Sequence, residues 1–225
     1  MLTTRRLPLV LCAALAAVSV LSSCGGSDNT GQTVDNSTCP YGPNSAGPYS
    51  PNPPKTNGKT DKAQVIPEMP HEHVAPPAKV TYAHNPPTSG CHYSLGYGQA
   101  PITAGAYPYT QSIPAENWVH NLEHGYIVVL YRCPEGCDAD FTKLREWMAK
   151  QPPDPQFVAL VKSNPGFKPY TKIVIVPWPS MTPKFAAVSW DYYDPMDTAD
   201  TTELQHFYDN HLDQAPEGSA QQPTP

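Results

Sequence analysis

Charge is scarce in this 225-residue chain. Lys, Arg, Asp and Glu make up 15% of it, and the balance is acidic, with 20 Asp plus Glu against 14 Lys plus Arg. No stretch gathers the basic residues needed to neutralise a phosphate backbone, which argues against nucleic acid as a partner. There is no glycine-rich phosphate loop and no internal repeat, and past the N-terminal region there is no second long apolar run. The length suits one domain of ordinary size plus tails and hardly two. Proline, in contrast, is abundant: 29 residues, about 13% against a usual share of roughly 5%. Six Cys, four Trp and 13 Tyr argue against a wholly disordered chain.

The first residues read as an export signal. Arg5 and Arg6 form a positive start, and the apolar run from Leu7 to Val20 is too short to span a bilayer as a permanent helix. Leu21-Ser22-Ser23-Cys24 then resembles a bacterial lipobox, in which Cys24 becomes the acylated first residue of the mature protein. Processing there removes two of the 14 basic residues and leaves a formal charge of −8. The expected address is extracytoplasmic, lipid-anchored to a bacterial cell envelope, with the membrane as partner through the Cys24 lipid. Outside the cytoplasm, Cys39, Cys91, Cys133 and Cys137 are most simply two disulfides. Cys133 and Cys137 suit a local bridge and Cys39–Cys91 would be the second, while the two other connectivities stay open. The three-residue spacing is not that of a thioredoxin-like redox site.

Four segments follow: a signal peptide over 1–23, a Pro-rich flexible linker over 24–77, a domain over 78–217 and a frayed tail over 218–225. Ten Pro between residues 25 and 77, with almost no apolar periodicity, motivate the linker. Within the domain, Val80–Tyr82, Tyr126–Tyr131, Phe157–Val161, Lys172–Val176 and Phe185–Trp190 read as strands. Asp138–Lys150, with Asp138 as N-cap, and Thr202–Leu212 read as amphipathic helices. Glu116–His124 suits two further helical turns ended by Gly125. The expectation is a compact single α+β domain, with a mainly antiparallel sheet and two helices.

Six of the eight His fall between residues 71 and 124, beside turns and Pro. His120 and His124 stand four apart, a spacing that puts both rings on one side of a helical turn. His92, after the turn Asn85–Gly90, is a candidate third ligand, and His73 a fourth, with Met69 as a soft alternative for Cu(I). Imidazole suits Zn and Cu. Glu123 could bind the ion or orient a ring from outside the coordination sphere. His120-Asn-Leu-Glu123-His124 also matches the H-x-x-E-H pattern of some metalloproteases, where Glu123 would be the base, but Gly125 and a β-rich run end the helix too early for that site. Asp191, Asp194 and Asp197 lack the Gly and Glu of an EF-hand and read as a solvated loop. Trp118, Trp147, Trp178 and Trp190 read as core or groove aromatics.

Asn85-Pro-Pro-Thr-Ser-Gly-Cys-His92 and Val119-His-Asn-Leu-Glu-His-Gly125, followed by a Val-Val-Leu-Tyr strand, resemble a bacterial domain-of-unknown-function family, number 3105. The resemblance extends from His73 to about Glu217. Its members look exported or membrane-tethered, so it implies an address and no activity. Its pattern carries the positions of His73, His92, His120, Glu123 and His124, which implies one shared site. This chain departs from it at Cys91, where the family usually has Pro, and at Asp191, where it usually has Gly. Cys91 is therefore either a disulfide partner or a possible thiolate ligand.

The leading expectation is an exported lipoprotein whose His-rich site binds copper or zinc without turnover, with affinity weakening below about pH 6. A cell-surface or extracellular assembly subunit using Tyr93, Tyr97, Tyr107 and Tyr109 is the alternative, its protein partner unknown. A metal-dependent hydrolase using Glu123 is the third.

Overall fold

A computed structural model describes residues 60–96 and 100–218. The expected signal peptide, Cys24, Cys39, most of the linker, Tyr97 and nearly all of the C-terminal tail lie outside these residues. No helix among the described residues is long and apolar enough to cross a membrane.

The centre of the sheet is built from three strands that read as continuous apolar runs: β5 (Ile127–Tyr131), β6 (Ile173–Pro177) and β7 (Phe185–Ser189), each buried along its whole length. Strands covered on both faces need such runs, because neither set of alternating side chains meets water. Val128, Leu130, Val174, Val176, Ala186 and Val188 point to one core, where Trp118, Val119 and Leu122 of α1 (Ala115–Glu123) meet them. Ile127, Val129, Ile173, Ile175, Phe185 and Ala187 point to the other. There they meet Leu144 and Trp147 of α2 (Asp138–Ala149) and Leu204 and Phe207 of α4 (Thr201–His211). Helices on both faces thus cover the period-two pattern of the strands.

Short strands complete the six-stranded sheet: β1 (Gln64–Val65), β4 (Gly105–Ala106) and β8 (Tyr192–Met196). The order is β1-β8-β7-β5-β6-β4, with β5–β6 and β4–β6 parallel and the other three pairings antiparallel. A separate parallel pair joins β2 (His73–Val74) to β3 (His92–Tyr93). The α+β class and the mainly antiparallel sheet agree with expectation.

Several expectations are corrected. The helices number four among the described residues, not two. Phe157–Val161 belongs to a helix, α3 (Pro155–Ser163), because Asp154 caps it by accepting from the Gln156 amide at 2.8 Å and Pro155 suits the first turn. That local start signal outweighs the β-branched composition. Val80–Tyr82 pairs with no strand, since the Val80 amide donates to Glu116 Oε1 at 2.9 Å instead. Asp138 is the first residue of α2 and Cys137 its cap, with Asp138 and Asp140 placed favourably toward the helix N-terminal dipole.

Asp194 lies in β8, fully buried, not in a solvated loop. Pro195 is tolerated in β8 because the two-residue β1 pairs only with Tyr192 and Tyr193 and leaves Pro195 without an outer neighbour. The domain also begins before residue 78: β1 and β2 fall within 60–77, and Met69 and Val74 are buried in a small third core with Cys91 and Tyr93. Two-residue strands between prolines leave no periodic trace in the sequence. Tyr93 is part of that core, with its hydroxyl donating to Ala78 O, so it is no contact surface.

Cys133 and Cys137 form a disulfide. Cys91 is disulfide-bonded as well, and its partner lies outside the described residues, so it offers no thiolate to a metal.

Candidate metal centre

Two short strands and one helix bring the site together. In the parallel β2–β3 pair, His73 stands directly opposite His92, which sets their rings side by side with centroids 4.8 Å apart. Helix α1 supplies His120 and Glu123, one turn apart and both buried. The helix stops where it must. Gly125 has φ +80°, and a Cβ there would fall 2.6 Å from Asp213 Cα. Only glycine fits that left-handed, crowded position.

The ligand-capable atoms of His73, His92, His120 and Glu123 all lie within 4.8 Å of one another. Glu123 Oε2 is 2.9 Å from His92 Nε2 and 3.7 Å from His73 Nε2. Glu123 is therefore a member of the group. His124, at the C-cap of α1, meets the group through His120, with the two Nε2 atoms 2.9 Å apart and the rings stacked. For an ion with bonds of about 2.0–2.1 Å, tetrahedral donors sit roughly 3.4 Å apart. The group must therefore contract slightly to close on an ion. His73 is the member placed to do so: its side chain is 34% exposed on a two-residue strand, whereas His92 is fully enclosed.

The backbone fixes which nitrogen of each buried ring faces inward. The Gly90 carbonyl is 2.9 Å from His92 Nδ1, and the Tyr93 carbonyl 2.6 Å from His120 Nδ1. A carbonyl only accepts, so each Nδ1 carries a proton and each ring turns Nε2 into the group, His120 with its lone pair and His92 as the donor to Glu123 Oε2 at 2.9 Å. Second-sphere carbonyls of this kind orient metal-binding imidazoles in general.

Electrostatics favour an anionic Glu123. Burial pushes the Glu123 carboxyl up, but the nearby His73 and the hydrogen bond from His92 outweigh it and hold the group well below the usual carboxylate range. Burial drives His120 down to about 4, against the opposing Tyr93 carbonyl. It lowers His124 too, partly countered by Glu217 and Glu123. His73 is raised, chiefly by the Glu123 carboxylate 3.7 Å from its Nε2.

The family model described as a protein of unknown function, DUF3105, matches residues 73–224. The chain belongs to the DUF3105 family. It matches no curated protein and no solved structure. In this DUF3105 chain the position where Gly was expected, Asp191, has φ +65° in the turn between β7 and β8, a backbone region where glycine costs nothing.

Other candidates fall away from the site. The Met69 sulfur accepts from the Ala83 amide at 3.2 Å and is not among the converging atoms. His84 bonds Pro86 O and packs on Tyr193, His71 pairs with Glu68, and His211 pairs with Asp61. Trp118, Trp147 and Trp190 are buried.

Sequence reasoning missed the loop behind α1. The Asp213 amide donates to Gly125 O and the Glu217 amide to Glu123 O, both at 2.9 Å. The Glu217 carboxylate lies 3.3 Å from His124 Nδ1. Buried Lys172 holds this loop through Asp213 at 2.7 Å. The reach of the family resemblance to Glu217 was the only signal for it.

Proposed function

We propose that the protein is an exported, lipid-anchored metal-binding protein that holds a copper or zinc ion through His73, His92, His120 and Glu123, with His124 beside His120. The carrying observation is the convergence of three imidazoles and a carboxylate from three separate elements within 4.8 Å. Three nitrogens and one oxygen form a donor set suited to Zn or Cu, and poorly suited to Mg or Ca, which prefer oxygen. The group is oriented in advance: two carbonyls hold His92 and His120 by Nδ1 and so turn Nε2 of both rings inward. Binding or passing on the ion is the function, and Cys24 supplies the tether.

The test is elemental analysis with calorimetry on the full chain, followed by titration with Zn and Cu. The expected result is one ion per chain, with His92→Ala and His120→Ala each weakening affinity at least about a hundredfold. A chain that purifies without metal and binds neither ion better than about millimolar overturns the reading. Mass analysis of Cys24 in membrane fractions tests the tether separately.

A further inference from the structure

We infer that helix α3 and the turn after it form a second working surface, one that docks on an anionic lipid bilayer. Nine residues make up α3, five of its side chains are apolar, and none of the nine is buried. Val158 and Leu160 stand 49% and 47% exposed, and Tyr170 beside them is exposed as well. A soluble domain ordinarily turns such a helix face inward. Here the segment instead closes on itself. Buried Asp154 caps the helix, its amide donates to Tyr170 O, and Phe157 lies against Tyr170 and Phe167 with ring centroids 4.2 and 6.0 Å away. The result is a built aromatic and aliphatic knob on the surface.

Charge names the partner. From Pro155 to Thr171 there is no Asp or Glu, while Lys162 and Lys168 are exposed, in a chain of net charge −6. The patch is thus apolar with a basic fringe on an acidic protein. That combination fits a headgroup boundary: aliphatic and aromatic side chains enter the acyl edge, and lysines reach lipid phosphates. A second copy of the chain fits less well, since two such patches would oppose four lysines with no carboxylate to pair them. The surface uses no residue of the His–Glu group and does not require a lipid on Cys24.

Hydrogen exchange on the full chain tests this locally, whatever else in the chain touches lipid. Vesicles of equal parts phosphatidylcholine and phosphatidylglycerol should slow exchange across residues 156–170 at least about tenfold, and pure phosphatidylcholine should not. Val158→Asp with Leu160→Asp should abolish the slowing, while β5–β7 exchange as before. Lys162→Glu with Lys168→Glu, at freely exposed sites, should abolish it as well. The inference falls if exchange over 156–170 is unchanged by anionic vesicles or equally slowed by neutral ones. It falls too if either double variant keeps the slowing, or if protection rises with protein concentration and without lipid, which would mark a second copy as the occupant.

Discussion

His120 Nε2 and His124 Nε2 lie 2.9 Å apart, within hydrogen-bond distance of each other. His120 commits its Nδ1 proton to the Tyr93 carbonyl, so its Nε2 accepts and that of His124 donates, while the Glu217 carboxylate lies 3.3 Å from His124 Nδ1. Burial disfavours a second proton on either ring. A metal ion on His120 Nε2 would displace the proton that His124 donates there, and Glu217 is placed to hold the Nδ1–H form of His124 that can then join it.

Glu217 should therefore matter to binding although it is no ligand. Glu217→Gln is expected to weaken metal affinity by about tenfold to a hundredfold while leaving the fold intact, since its side chain is half exposed. Competition against a coloured chelator reads this directly. Unchanged affinity would remove His124 from the account.

Binding should respond to acid in two stages. Protons compete with the ion for imidazole, so affinity falls as pH falls. His73 is raised by Glu123, so its protonation should begin to weaken binding above the ordinary imidazole value of about 6.5. His120, held down to about 4, gives way last. A titration of affinity from pH 8 to 4 should show both steps, and His73→Ala should erase the upper one.

Gly125→Ala should be costly. The new Cβ would stand 2.6 Å from Asp213 Cα, in a residue with φ +80°. Left-handed strain and the clash together suggest a loss of about 2–4 kcal/mol in urea unfolding. An alanine variant as stable as the parent would mean that the loop from Asp213 to Glu217 does not rest on α1.

Stability should decline as pH rises from about 4 to 8, and Asp194 is a main reason. Its burial, with Glu203 adding to it, raises the carboxyl to about 7, and burial raises Asp191 to about 8. A raised folded value means that the native state holds the proton more tightly. The contribution is complete below the unfolded value near 4 and is lost as pH passes through 7 to 8. Asp194→Asn should flatten part of this decline, narrowing the difference between melting temperatures at pH 5 and pH 8 by a few degrees. An equally steep decline in the variant would assign it elsewhere.

Much of the interior was legible in the chain. The apolar runs at Ile127–Tyr131, Ile173–Pro177 and Phe185–Ser189 could only be buried strands, and the spacing of Leu144 and Trp147 marked the inner face of α2. Gly125 announced the end of α1. Where local signals competed, composition misled: Phe157 and Val158 favoured a strand until Asp154 and Pro155 started a helix. The Asp191–Asp197 stretch looked solvated because Pro and Asp hide a strand whose carboxylate is buried.

The residue types of the site, and its His120–His124 spacing, belong to the sequence itself, because a helical turn fixes what stands three or four residues apart. The register that sets His73 against His92, the Tyr93 carbonyl that holds His120, and the loop that carries Glu217 to His124 belong to tertiary structure alone. Those depend on contacts between segments far apart in the chain, and no local pattern encodes which backbone oxygen a ring nitrogen will find.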